Sequence, residues 1–331
     1  MKKNQQQDQD NYKHMLHIFR GQEPLLIDQA RNHAFLSALI SQVKPGSSVL
    51  DIGSGTGIWA ITAARLGAGR VVAIEKDRLL IPVIRNLIKE NGVGDKVELL
   101  QGESTQIKLN ERFDLIVSET IGNQAFDEDI VNIMLDAKKR FLKPGGVLIP
   151  NQVSLVAAPA YLKNSLKASP AGVPIKCGYF ESLNLNIPFN LPNKSRLKVL
   201  SNPKELFRAD LSRADKQLDL SNLVIRWKRL DAARINCFVV WAEIVLTRGI
   251  KLSTMETTSW SPVIYLFRPF KQSSGDIELT FNLTEKSQYW SVTLINKQGK
   301  QTQSFSPVFA YTSLMTSIQM AEAFAKASKQ K

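Results

Sequence analysis

The run Val49-Leu-Asp-Ile-Gly-Ser-Gly-Thr-Gly-Ile58 restricts this chain's fold more than any other segment. Val49–Ile52 reads as a short buried strand, and a helix is expected from Ile58 through Ala64. Between them Gly53, Gly55 and Gly57 allow a tight bend and let a ligand approach the backbone with no Cβ in the way. A second strand, Val71–Ile74, ends at Glu75. An acid at that place accepts ribose hydroxyls in nucleotide-binding α/β folds. The dinucleotide fingerprint would need Gly or Ala at the sixth position, where this chain has Ile58. No Lys-Ser/Thr pair closes the loop as a phosphate cradle would require.

The pattern continues in the same alternation. Helices are expected over Tyr12–Phe19 and Pro24–Val43, before the first strand. A helix through Ile88, strands at Val97–Leu100 and Leu115–Val117, a helix to about Phe141 and a strand at Val147–Ile149 follow. Strands alternating with helices of this length predict a parallel sheet covered on both faces. After Pro150 the texture changes to strand-like segments separated by Pro, Asn, Ser and Lys, with a short helix near Thr312–Lys326. Two domains are therefore expected, 1–150 and 151–331, the second mainly antiparallel β.

A second constellation follows the strand ending at Val117. Ser118-Glu-Thr-Ile-Gly-Asn-Gln-Ala-Phe-Asp-Glu128 places Glu119 at a strand's carboxyl end, where such sheets bind ligands. Glu128 lies nine residues on, within reach of the same site. Paired carboxylates suit a guanidinium, whose planar fork they match. On spacing alone, Asp127, Glu128 and Asp129 are equally the acidic start of a helix.

Taken together these residues resemble the protein arginine methyltransferases, class I enzymes that use S-adenosylmethionine. The glycine turn after Leu-Asp-Ile is similar to their first motif, and Glu119 and Glu128 reproduce their two-glutamate loop. Leu25-Leu-Ile-Asp28-Gln-Ala-Arg31 and Leu142–Pro150 resemble two further segments, and Trp241, Leu252-Ser-Thr254 and Thr258-Ser-Trp260 resemble parts of the second domain. The resemblance implies a Rossmann-like methyltransferase domain followed by a β-barrel, a homodimer, and a dimerisation arm at about 160–195. It implies that S-adenosylmethionine is held by Arg31, Asp51, Gly53, Ser54, Gly55, Gly57, Glu75, Ser104, Thr105 and Glu119, leaving S-adenosylhomocysteine. Glu119, Glu128 and Asp28 take the catalytic roles, and Tyr12, Ser259 and Trp260 face the acceptor. No metal is implied.

The departures bear on the acceptor. Where the family carries a His paired to the Asp28 position, this chain has Ser259, so Asp28 is expected to lose a cationic partner. Two methionine positions of relatives are Leu25 and Ile121. His14, His17 and His33 stand apart from that loop. Charge is uneven: residues 1–150 carry 19 Lys and Arg against 18 Asp and Glu, whereas residues 151–331 carry 24 against 12. A basic second half repels arginine-rich tails and fits a small guanidine, an acidic-flanked peptide or an acidic partner. A hydroxyl, amine or carboxylate acceptor and a non-catalytic binding role are the alternatives. Nucleic acid is not expected, because no base-methylation motif of the Asn/Asp-Pro-Pro-Tyr/Phe type is present. The two cysteines have no metal spacing, no apolar run approaches the roughly 18 residues of a membrane span, and no signal segment is read, so a cytoplasmic protein is expected.

Overall fold

The computed structural model describes residues 2–125, 128–165, 175–213, 219–271, 274–284 and 287–328. Two compact units emerge. The first is Met1–Ser154 with Arg208–Leu218 and Trp241–Ser261, and the second holds Leu155–Phe207, Asp219–Val240 and Pro262–Lys331. A single cut at residue 150 is thus not how the contacts divide. Two later segments return to the first unit.

In the first unit the elements run α1 (Lys2–Ile27), α2 (Gln29–Gln42), β1 (Ser48–Ile52), α3 (Ile58–Arg65), β2 (Arg70–Glu75), α4 (Ile81–Glu90), β3 (Val97–Gln101), β4 (Phe113–Ser118), α5 (Ile130–Phe141) and β5 (Leu142–Ile149). The five strands form a parallel sheet in the order β3-β2-β1-β4-β5. Val49, Leu50, Val71, Val72, Leu115 and Ile116 are fully or almost fully buried, as strands covered on both faces require. Strand order reverses between β1 and β4. The turn after β1 and the loop after β4 therefore open at one switch point, where α/β sheets bind ligands.

Expectation and structure differ before β1. The helix anticipated over Pro24–Val43 is two helices, because Asp28 adopts an extended backbone (φ −72°, ψ 99°) and caps α2 by accepting from the Arg31 N–H at 3.1 Å. The short helix anticipated at Tyr12–Phe19 belongs to the 26-residue α1, which passes through Pro24. The final helix, Pro307–Ser328, is also longer than expected.

The second unit contains a four-stranded antiparallel sheet, Leu223–Asp231, Ser274–Thr284, Ser287–Asn296 and Gly299–Phe305. Its core is aromatic: Tyr265 meets Phe281 and Trp290 edge-on at 4.6 and 5.0 Å between centroids. Further antiparallel pairing joins Cys237–Val240 to Val263–Leu266 and Ala160–Leu162 to Leu197–Val199. The expected class holds: an α/β parallel sheet followed by a mainly antiparallel β region. Residues 166–174 of the expected arm lie outside the described residues.

The turn between β1 and α3 shows why glycine is required at 57. Gly57 sits at φ +80°, and a Cβ there would lie 2.8 Å from Cγ2 of buried Ile84 in α4. Gly57→Ala combines a left-handed backbone cost of about 1–2 kcal/mol with an overpacking cost of about 1–3 kcal/mol. Denaturant unfolding should therefore register a loss of roughly 2–5 kcal/mol. A variant as stable as the native chain would contradict this packing.

Candidate active site

A cavity of about 440 Å³ opens at the switch point. Its floor is Gly53, Ser54 and Gly55, and its sides are Glu75, Ser104, Glu119 and Thr120. Ile18, Gln22, Leu25 and Leu26 of α1 complete the wall with Arg31, Trp59, Glu128 and Trp260. Glu75 is only 6 % exposed; one carboxylate oxygen accepts from the Gly55 N–H and the other from the Asp77 N–H, both at 2.8 Å. The same carboxylate thus fixes the glycine turn and faces the cavity. Outside the turn, His14 of α1 meets Asp77 at 2.8 Å, tying α1 to the loop after β2.

Arg31 and Glu119 form a buried ion pair on the cavity wall, with side chains 4 % and 7 % exposed. Arg31 Nη1 donates to the Leu25 carbonyl at 3.1 Å and to Asn32 Oδ1 at 2.7 Å. Its guanidinium carbon lies 5.9, 5.4 and 5.8 Å from the ring centres of Phe35, Trp59 and Trp260. Phe35 and Trp59 are stacked at 5.0 Å. Cation–π attraction of this kind holds a guanidinium in place where water is excluded. Burial raises the Glu119 carboxyl above the ordinary glutamate value, and the charge and hydrogen bond of Arg31 oppose that rise.

Asp28 has a different task from the one expected. It is fully buried and accepts from the amides of Thr258 and Ser259 at 2.9 and 2.8 Å and from the Ser259 hydroxyl at 2.6 Å, besides capping α2. Burial raises its carboxyl, but the Ser259 hydroxyl and the three amides outweigh it and leave the group below the ordinary aspartate value. Serine therefore does not leave Asp28 without partners. It supplies a neutral donor that keeps the carboxylate ionised and clamps the start of α2 to the 254–261 loop. That loop is also held by Asn123, whose Oδ1 accepts from the Ser261 N–H at 2.7 Å.

Asp51 likewise lies beneath the turn rather than on the cavity. Its Oδ2 accepts from the Ala60 N–H at 3.0 Å in the first turn of α3, and its Oδ1 is buried without a partner. Burial pushes its carboxyl up to about 7. A carboxyl raised on folding stabilises fully below its unfolded value near 3.9 and loses that contribution as pH rises through 7. The Asn of Asp51→Asn keeps an acceptor for Ala60 but cannot ionise. Relative to the native chain, this variant should gain on the order of 2–4 kcal/mol between pH 4 and pH 8. Unfolding curves that stay parallel across that range would contradict the burial of a titrating Asp51.

Residues 33–153 match the family model described as "Ribosomal protein L11 methyltransferase (PrmA)". The chain is 33 % identical over 139 residues to a "Probable protein arginine N-methyltransferase 6" of Arabidopsis thaliana, covering 41 % of this chain and 32 % of the plant protein. It thus spans about a third of that relative's length. It is 29 % identical over 237 residues to an "Arginine N(omega)-methyltransferase" of Streptomyces achromogenes subsp. streptozoticus, covering 69 % of this chain and 65 % of that one. Its fold matches a chain of the "Trypanosoma brucei PRMT1 enzyme-prozyme heterotetrameric complex with AdoHcy" at a TM-score of 0.73 and 19 % identity, over 86 % of this chain and 96 % of that one. The relatives named here are arginine methyltransferases, and this chain is similar to them over part of their length.

Of the residues expected at the site, the cavity gathers Arg31, Gly53, Ser54, Gly55, Glu75, Ser104, Glu119, Glu128 and Trp260. Six other expected residues do not line it: Tyr12, Asp28, Asp51, Gly57, Thr105 and Ser259. Tyr12 is 59 % exposed on α1, and Thr105 points to solvent beside buried Ser104. Gly57 packs on Ile84. Asp28 and Ser259 hold each other behind the wall. Ile121 is buried but does not line the cavity, whereas Leu25 does. His17 and His33 are exposed and His14 is half-exposed. Trp59 and Gln22 were not anticipated. The Trp in the first turn after the glycines was the available signal for the first; nothing local marks Gln22. Among the described residues no cluster of His, Cys, Asp and Glu could hold a metal ion, and no helix is long and apolar enough to cross a membrane.

Proposed function

We propose that the chain is an S-adenosylmethionine-dependent methyltransferase acting on a guanidino nitrogen, and that the acceptor is a small guanidino compound, free arginine foremost. The observation carrying this reading is that Glu119 and Glu128 line the same cavity as the glycine turn and Glu75. The cofactor supplies a methyl group on a sulfonium. The residues present fit it: Gly53 and Gly55 line the cavity, Glu75 offers a carboxylate to a ribose, and Arg31 offers a buried, unpartnered Nε–H to a carboxylate.

On this reading Glu119 and Glu128 orient the acceptor's planar fork, so that one nitrogen faces the methyl group. Asp28 takes no proton, since its oxygens are already engaged by four donors. Glu119, raised by burial, and Glu128, exposed at the cavity rim, are the bases within the site. The Streptomyces relative's name specifies arginine, and a net charge of +13 disfavours basic tails. Exposed Tyr179 and Phe180, within the segment read as an arm, support pairing of two copies.

An acceptor panel tests the choice. Free arginine, an arginine peptide with acidic flanks and one with basic flanks are compared at low and high salt. Free arginine and the acidic peptide should be methylated, and salt should weaken only the acidic peptide. Preference for the basic peptide would overturn the small-acceptor reading.

A further inference from the structure

Strand β3 is the free edge of the parallel sheet and pairs with β2 alone. The Val71 N–H donates to the Lys96 carbonyl and the Gly102 N–H to the Glu75 carbonyl, both at 2.9 Å. Those bonds fix the alternation of a parallel ladder, in which residues 98 and 100 turn N–H and C=O toward β2. Leu99 and Gln101 therefore turn theirs outward, where no strand among the described residues meets them. Val97 adds an outward C=O, its N–H being taken by the Val93 carbonyl at 3.1 Å. Unpaired edge backbone of this kind is a template for a further strand.

A groove of about 470 Å³ lies beside that edge. Ile88 of α4, Val97 and Leu99 give it an apolar floor, with Gly94 at one side and Arg85 and Lys89 on the rim. Arg85 and Lys89 are exposed and have no ion-pair partner among the described residues. Like charges one helical turn apart repel, so an anion set between them relieves a repulsion as well as gaining an attraction. Glu98 of β3 does not serve. Its side chain alternates to the opposite face from Val97 and Leu99, and Arg70 engages it.

We propose that this edge is a docking surface for an extended acidic peptide of a partner protein, which adds to β3 as a further strand and sets two carboxylates against Arg85 and Lys89. The free N–H and C=O groups select an extended chain, and the two cations select acids. Residues four apart on a helix are about 6 Å apart along its axis. Side chains two residues apart on a strand are spaced by about 6.6–6.8 Å. Two acids separated by one residue on the added strand thus match the two cations. The surface stands apart from the methyl-transfer reading, because none of the six groove residues lines the cavity at the switch point.

The probe is a capped peptide of alternating Glu and Val, with a Lys/Val peptide and a single-stranded RNA of similar length as controls. The acidic peptide should bind the full chain, more weakly at high salt. It should also slow solvent exchange of the Leu99 and Gln101 amides by at least about tenfold. Failure to bind, or binding without that protection, overturns the proposal. Equal binding of the Lys/Val peptide does so too, as does equal protection of those amides by the RNA, which would make the groove a site for polyanions at large. N-methylation of every second peptide amide is made in both registers, because only one register faces β3. One methylated form should bind at least about tenfold more weakly than the other; equal affinities exclude strand addition. In the chain, Arg85→Glu combined with Lys89→Glu should weaken binding by at least about tenfold. Gly94→Leu fills the groove from a backbone that accepts a side chain, since a Cβ there meets only Ile88 at 3.9 Å, and it should weaken binding as much. Native affinity in either variant overturns the docking surface.

Discussion

Glu119→Gln is expected to lower turnover by about 10³-fold, within the range set by loss of a positioned acid–base or electrostatic group. Glutamine keeps the size and one acceptor oxygen. It loses the charge that pairs with a cation in a buried, low-dielectric wall, where such charge has most effect. The variant should still fold and still bind S-adenosylhomocysteine, because Gly53–Gly55 and Glu75 are untouched. Glu128→Gln should also lose turnover, through the other side of the acceptor fork. The two substitutions act on one group, so their effects should not multiply. Steady-state kinetics with free arginine checks this. A double variant that retains native turnover would remove both glutamates from the mechanism.

Arg31→Ala carries the second large effect, on stability as well as binding. It leaves Glu119 buried with no cation and empties the space between Phe35, Trp59 and Trp260. Breaking a buried pair by removing one partner costs about 3–5 kcal/mol. The cost belongs chiefly to the stranded carboxylate. Adding Glu119→Gln to Arg31→Ala should therefore recover a substantial part of the lost stability, so the two changes combine to less than their separate costs. Carboxylate-bearing nucleosides should bind at least about 100-fold more weakly to either Arg31 variant, in line with a lost charge-assisted bidentate contact. Denaturant unfolding of the four proteins tests the cycle. Strictly additive losses would mean that Arg31 and Glu119 do not compensate each other's charge.

The sheet and its glycine turn were legible because their signals are local. Val49–Ile52, Gly53, Gly55 and Gly57 show strand, bend and helix start within ten residues, and Glu75 lies at the next strand end. Glu119 was legible for the same reason, at the end of Phe113–Ser118. What could not be read depends on partners far along the chain. Asp28 ends α1 and starts α2 while held by Thr258 and Ser259, about 230 residues away. Side-chain identity at Ser259 showed that a cationic partner is missing, but not that two of the three donors from that loop are backbone amides. Asp51 has the residue type of a ligand contact, but β1 aims it at the Ala60 amide beneath the turn. Thr105 and Ser104 are adjacent, and only the loop's path decides which is buried. The return of 208–218 and 241–261 to the first unit left no trace in composition.

The most direct test of the central claim is to incubate the chain with methyl-labelled S-adenosylmethionine and free arginine and to locate the label by mass spectrometry. Label on a guanidino nitrogen of arginine, absent with Glu119→Gln, is the predicted result. Label on the α-amine or carboxylate of arginine, or no transfer from a chain that binds the cofactor, would contradict it.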